Sequence, residues 1–375
     1  MSEPQPFRIH VPDAELADLH DRLRRTRFTP DNPRRMPSGM TEGYLRELVD
    51  SWLALDWRAR EEWLNGHPQF LAEVDGTTVH FVHRKADHPD APTLLVMHGW
   101  PHTFALQLDF ADLLPEFNVV VPSFAGFAFS PPYPDGPVTE ERLATTMHAL
   151  MTETLGYASY YTYGEDVSAN VNDLIAAIHP EAVDGILITH AHFGSDEERA
   201  ASDDPAAAAF FAELAAKHGP DGSYGHVQWA RPDTLAASLN DSPAGLLAWI
   251  AEKLVEWSDV PWSGPLGPRA VEQRISRERI LTEATIYWIT GSIGTSFRPY
   301  YEGADQPGPM PPVNVPASVH VQRHEAAYPE SVARGYYLDL RTFERLDEGG
   351  HFTVGEVPEA MAQRFRALVQ SVRED

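Results

Sequence analysis

No cysteine occurs among the 375 residues, so the chain can form no disulfide, no thiolate metal site and no thiol nucleophile. Positive charge is scarce as well: 29 Lys and Arg stand against 55 Asp and Glu, a formal charge of −26. Phosphate backbones and anionic membrane surfaces repel such a chain, which argues against nucleic acid as a partner. Long apolar runs are missing too. The opening residues, MSEPQPFRIHVPDAEL, hold no signal-peptide core, and no later stretch is long enough to cross a bilayer. The expectation is a soluble, cytoplasmic protein without a membrane anchor. What is present is a hydrophobic content of 43% with nine Trp, enough for a sizeable core in one large domain with an insertion.

In chain order, Leu16, Leu19 and Leu23 recur at helical spacing, and further helical stretches run over 44–55 and 57–64. Residues 70–83 alternate around Asp75-Gly76, a hairpin signal. Apolar runs at 94–97, 117–121, 157–163 and 185–189 then alternate with helical stretches at 104–114, 140–155 and 171–178. Strands apolar at every position and joined by helices predict a parallel sheet covered on both faces. From 191 to 299 the alternation stops, and helical stretches at 205–216, 246–257 and 280–289 read as an inserted cap. Strands resume at 318–322 and 342–346, before a final helix over 357–372. The fold class is α/β, a mostly parallel sheet with flanking helices, divided as 1–75 extension, 76–190 core, 191–299 cap and 300–375 core.

The stretch YASYYTYGEDVSANVNDLIAAIHP, residues 157–180, organises the rest. An aromatic strand turns into a helix across G-E-D-V-S, residues 164–168, with small residues two before and two after Asp166. That pattern suits a nucleophile elbow, whose apex is strained and exposed. A carboxylate at the apex forms an alkyl-enzyme ester, so it attacks an sp³ carbon of an epoxide or a carbon–halogen bond. His98-Gly99-Trp100-Pro101 follows directly on a strand, which offers the Trp100 N–H as one oxyanion donor and Val167 N–H as the other.

His351, in D-E-G-G-H-F, lies where this fold keeps its general base. Glu325 sits at the right strand end to orient it, with Glu330, Asp347 and Glu348 as rivals. His190 and His192, in T-H-A-H-F, invite a metal reading, but the further Asp and His of an H-x-H-x-D-H signature are missing. Tyr224 and Tyr300, within or beside the cap, suit hydrogen-bond donation to an epoxide oxygen, although spacing alone reads them as packed aromatics.

Together these motifs resemble the microsomal-type epoxide hydrolases of the α/β-hydrolase fold. The resemblance spans nearly the whole chain: P-F-R-I-H-V-P at 6–12, H-G-W-P at 98–101, P-S-F-A-G-F-A-F-S at 122–130, L-N-D-S-P-A-G-L-L-A-W-I-A-E-K at 239–253, and R-P-Y-Y-E at 298–302. It implies Asp166 as nucleophile, His351 as base, Glu325 as its acid, and Tyr224 with Tyr300 as the epoxide-activating pair. It implies a small-molecule epoxide and water as the only reactants, with no cofactor and no metal; a homodimer is left open. The family elbow often reads G-G-D-W-G, and Glu165, Val167 and Ser168 depart from it. Glu165 is expected to point away from the site. The Glu325–Pro329 spacer is also one residue short. Three other readings are weighed. A dehalogenase would want a Trp where Val167 stands, a silent binding protein would have lost part of the triad, and a serine esterase would need Ser168 at the apex.

Overall fold

A computed structural model describes residues 3–35, 38–193, 204–217, 222–303 and 310–374. Parts of the expected cap, 194–203 and 218–221, lie outside the described residues. One sheet of nine strands runs through the chain: β1 (Gln5–Phe7), β2 (Gln69–Val74), β3 (Thr77–Arg84), β4 (Thr93–Val96), β5 (Asn118–Pro122), β6 (Tyr160–Gly164), β7 (Val183–Ile188), β8 (Val313–Val321) and β9 (Tyr337–Arg345). Their spatial order is β1-β2-β3-β5-β4-β6-β7-β8-β9. The first three strands are antiparallel to their neighbours, and every pairing from β5 to β9 is parallel.

The hairpin forms where the alternation placed it. Asp75 and Gly76 both take positive φ, 48° and 74°, which a tight two-residue connection between twisted strands requires. Neighbouring strand residues feed opposite cores: Leu95 and Val120 pack on one face, Leu94, Val96, Val119 and Val121 on the other. That is why these strands read as unbroken apolar runs. The helix Pro358–Arg373 lays Met361, Phe365 and Leu368 on the second face, and Phe365 meets Phe117 and Tyr161 there.

Residues 13–65 form three helices, Asp13–Arg24, Glu42–Ala54 and Trp57–Asn65. Thr41 and Asp56 cap the last two through side chains that accept the N–H groups of Tyr44 and Ala59. They grip the helices Pro243–Trp257 and Arg277–Thr290 from outside: Trp52 Nε1 donates to Thr285 Oγ1 at 2.8 Å, and Arg60 Nε to Thr282 Oγ1 at 3.1 Å. The N-terminal residues thus brace the helical insertion.

Three readings change. The stretch 104–114 is a 3₁₀ turn, Phe104–Gln107, followed by the short helix Leu108–Asp112, rather than one helix. The helix expected over 140–155 ends at Ala149 and finishes in a π turn, Leu150–Thr154, which lets Leu150 and Met151 both bury fully. Helices Ser223–Ala230 and Pro232–Asp241 were not anticipated, because polar residues interrupt their apolar spacing.

Candidate active site

The chain leaves β6 at Gly164 and re-enters a helix at Val167, which leaves two residues for the reversal. Asp166 stands at its apex with φ 56° and ψ −128°, a conformation that costs a non-glycine residue about 1–3 kcal/mol. The neighbours have to yield space. A Cβ on Gly164 would lie 2.1 Å from the Ser168 carbonyl oxygen, and one on Gly99 would lie 2.5 Å from Asp166 Cβ. Ser168 is buried and sews the bend shut, its Oγ accepting from Glu165 N and donating to Glu165 O, both at 2.8 Å. A hydroxyl so engaged is no nucleophile.

Asp166 Oδ1 accepts the Trp100 N–H at 2.8 Å, and the carboxylate also accepts from Val167 N–H. Asp166 Oδ2 lies 3.0 Å from His351 Nε2. On the far side of that ring, Nδ1 lies 3.2 Å from Glu325 Oε1. The structure therefore brings together Asp166, His351, Glu325, Trp100 and Val167 in one chain of contacts. The rival acids turn elsewhere: Glu330 pairs with Arg334 and Glu348 with Arg274. The short Glu325–Pro329 spacer does not keep Glu325 from the ring.

Burial opposes every charge in this row, yet the partners outweigh it. Asp166 would rise on desolvation, but the His351 hydrogen bond and two backbone N–H groups bring it down to about 2. Glu325 is likewise pulled below the usual carboxylate range by the His351 contact, against its burial. For His351 burial alone would favour the neutral ring, and the two anions reverse that, raising it to about 10. The resting arrangement is carboxylate, imidazolium, carboxylate.

The loop that carries His351 is built on contacts no spacing reveals. Glu356 accepts from Gly350 N, Phe352 N and Asp259 N, and His351 N donates to the Trp257 carbonyl at 2.9 Å. A Cβ on Gly350 would meet Asp259 N at 2.5 Å, so only glycine lets the loop and the end of the Pro243–Trp257 helix approach this closely. Beneath the bend, Glu165 is fully buried and held by the Tyr163 hydroxyl at 2.6 Å, Gln107 Nε2 at 2.9 Å and His102 Nε2 at 3.0 Å. That agrees with a side chain directed away from the reacting face.

Aromatic rings pack beside this charged row. Trp100 stacks on Tyr224 with centroids 5.4 Å apart, and Tyr300 stands edge-on to both, 6.0 Å from Tyr224 and 6.1 Å from Trp100. Trp257 lies 4.9 Å from both His351 and Tyr224. Burial, then the Asp166 charge, keeps the Tyr224 phenol protonated, and burial with Tyr224 and Asp166 does the same for Tyr300. Both hydroxyls, which hydrogen-bond to each other, thus stay protonated at any ordinary pH.

One residue set aside in the sequence belongs here. His190, just past β7, places Nε2 3.1 Å from His351 Nδ1. Its donor atom, with those of Glu325 and His351, lies within 4.8 Å of the others, close enough to hold a metal ion. All three are already joined by hydrogen bonds. The only signal in sequence was its place at a strand's C-terminal end.

The family model described as epoxide hydrolase N terminus matches residues 4–106, and that for the alpha/beta hydrolase fold matches residues 92–292. Epoxide hydrolase 1 of Oryctolagus cuniculus is 31% identical over 98% of this chain and 89% of its own length. The crystal structure of juvenile hormone epoxide hydrolase from the silkworm Bombyx mori superposes with a TM-score of 0.85 at 25% identity, over 100% of this chain and 95% of that one. The structure of Aspergillus niger epoxide hydrolase gives 0.83 at 27% identity, over 99% and 97%. Among the described residues, no helix is long and apolar enough to cross a membrane.

Proposed function

This chain belongs to the epoxide hydrolases of the α/β-hydrolase fold, and on that premise we propose that it opens an epoxide to a vicinal diol through a covalent ester on Asp166. The contact that carries this reading is the split engagement of one carboxylate, Oδ1 against the Trp100 N–H and Oδ2 against His351. Oδ2 attacks an epoxide carbon in line while Tyr224 and Tyr300 donate to the epoxide oxygen, which leaves as the alcohol of a hydroxyalkyl ester. Oδ1 is then the ester carbonyl oxygen, already seated against Trp100 N–H, with Val167 N–H as the second donor to the group.

Alkylation has an electrostatic consequence. It removes one of the two anions that hold the proton on His351, so the ring becomes a stronger acid and returns that proton, through water, to the tyrosine that protonated the epoxide oxygen. A neutral Nε2 then takes a proton from water, and the hydroxide adds to Asp166 Cγ. The negative charge develops on Oδ1, where each N–H donor contributes about 10²–10³ in rate. Collapse breaks the Cγ–Oδ2 bond and expels the diol. Base help from a histidine contributes roughly 10²–10⁴. Each step uses only water and side chains of this chain. Residues 191–299 would act as a cap that supplies Tyr224 and excludes bulk water, and their aromatic lining points toward aryl or bulky epoxides.

Val167, in the position where a halide-binding Trp would follow the nucleophile, speaks against a dehalogenase. Asp166→Ala is the test: diol formation should vanish while the variant stays folded, by its circular dichroism at the assay temperature. Full activity in that variant would end the proposal.

A further inference from the structure

The proton on His351 Nδ1 has two acceptors within reach, not one. Glu325 Oε1 lies at 3.2 Å and His190 Nε2 at 3.1 Å, and the His190 ring meets His351 at a 69° angle with centroids 4.4 Å apart. We propose that His190 is a positioning residue for ester hydrolysis, sharing the His351 Nδ1–H with Glu325 and keeping the base oriented when that carboxylate disengages. The idea rests on the two-step reading above.

The His190 ring is held for such a task. Thr189 Oγ1 lies 3.4 Å from its Nδ1 and is itself tied to the Tyr163 hydroxyl at 3.1 Å. Gln322, at the end of β8, places its amide nitrogen 3.1 Å from both ring nitrogens. With a proton on Nδ1 facing Thr189, the Nε2 lone pair is shared between the Gln322 amide N–H and the His351 Nδ1–H. Burial, reinforced by the neighbouring His351 cation, lowers His190 to about 4, so the ring is neutral at ordinary pH and can accept.

The two acceptors differ in a way that makes the second useful. Glu325 keeps 35% of its side chain exposed, against 14% for His351, and sits on a loop where water competes for its oxygens. His190 follows directly on a central parallel strand. A partly exposed anion sets the charge, and a neutral ring held from two sides sets the direction.

The test uses wild type, His190→Leu, Glu325→Ala, the double variant and His190→Gln, with styrene oxide as substrate. Rapid quenching separates ester formation from ester decay. His190→Leu should slow decay roughly tenfold with formation changed less than about twofold, since general-base orientation acts on the second step alone. Glu325→Ala should cost about 10² and the double variant about 10⁴ or more, beyond the product of the singles, because each acceptor covers for the other. His190→Gln, whose amide oxygen can reach Nδ1, should recover most of the decay rate.

A second readout needs no turnover. The His351 Nδ1–H proton should remain visible at low field by NMR in Glu325→Ala free enzyme and disappear in the double variant. Equal slowing of both steps in His190→Leu, a double variant no worse than the product, or a proton signal indifferent to residue 190 overturns the proposal. If wild type forms no ester while the proton behaves as stated, the two-step reading fails and takes the role in ester hydrolysis with it, leaving only the shared His351 Nδ1 proton.

Discussion

Asp166 Oδ1 sits 2.8 Å from the Trp100 backbone nitrogen, so the carboxylate proposed as nucleophile already fills the place where the proposed reaction develops negative charge. The donors are set before any substrate arrives, and the two carboxylate oxygens are made inequivalent. From that inequivalence it follows that Oδ2 is the oxygen transferred. In a single turnover run in ¹⁸O-water with excess enzyme, the diol should carry no label, and the label should appear in Asp166. Labelled diol in the first turnover would mean direct attack by water on the epoxide.

His351→Gln keeps a hydrogen-bonding side chain at the elbow but removes the proposed base. Ester should accumulate, visible in intact mass as an increase equal to the epoxide, with decay slowed roughly 10²–10⁴-fold. A variant with no diol and no adduct would show that His351 is needed for the first step.

Tyr224→Phe and Tyr300→Phe remove one donor each to the epoxide oxygen while keeping the stacked rings of Trp100 and Tyr224. Each should slow ester formation about 10²-fold and leave ester decay nearly unchanged. Equal slowing of both steps would reduce the pair to packing.

The charged row ties stability to pH at both ends. Asp166 drops from 3.8 and Glu325 from 4.5 toward about 2, so their stabilisation is complete above the ordinary values and lost as pH falls through 2. His351 rises from 6.5 to about 10, so its share is complete below 6.5 and lost as pH rises through 10. The melting-temperature gap between wild type and His351→Gln should therefore be widest between 4.5 and 6.5 and close in both directions. A gap that grows steadily toward alkaline pH would contradict this pairing.

Glu283 has the opposite sign. Burial raises it from 4.5 to about 7, against a hydrogen bond from Thr103, and its Oε2 has no partner. The folded chain holds a proton that the unfolded chain releases across that window, so stability falls as pH rises from 4.5 to 7. Glu283→Gln should melt higher than wild type above pH 7 and match it below 4.5, by calorimetry.

The sequence by itself determined the bend. Gly164 and Ser168 flank Asp166 because only small groups fit a strand-to-helix reversal that tight, and that steric demand is local. It also determined the sheet strands and the hairpin at Asp75-Gly76, since periodicity and positive-φ chemistry act between near neighbours. Only the tertiary structure decided which acid faces His351, that Glu356 fastens its loop, and that His190 shares its Nδ1. Those contacts join residues 26 and 161 positions apart in the chain, or depend on a backbone turn that aims an N–H. No pattern records them, because the separation is bridged by β7, β8 and β9 lying side by side, pairings fixed by burying both faces of the sheet.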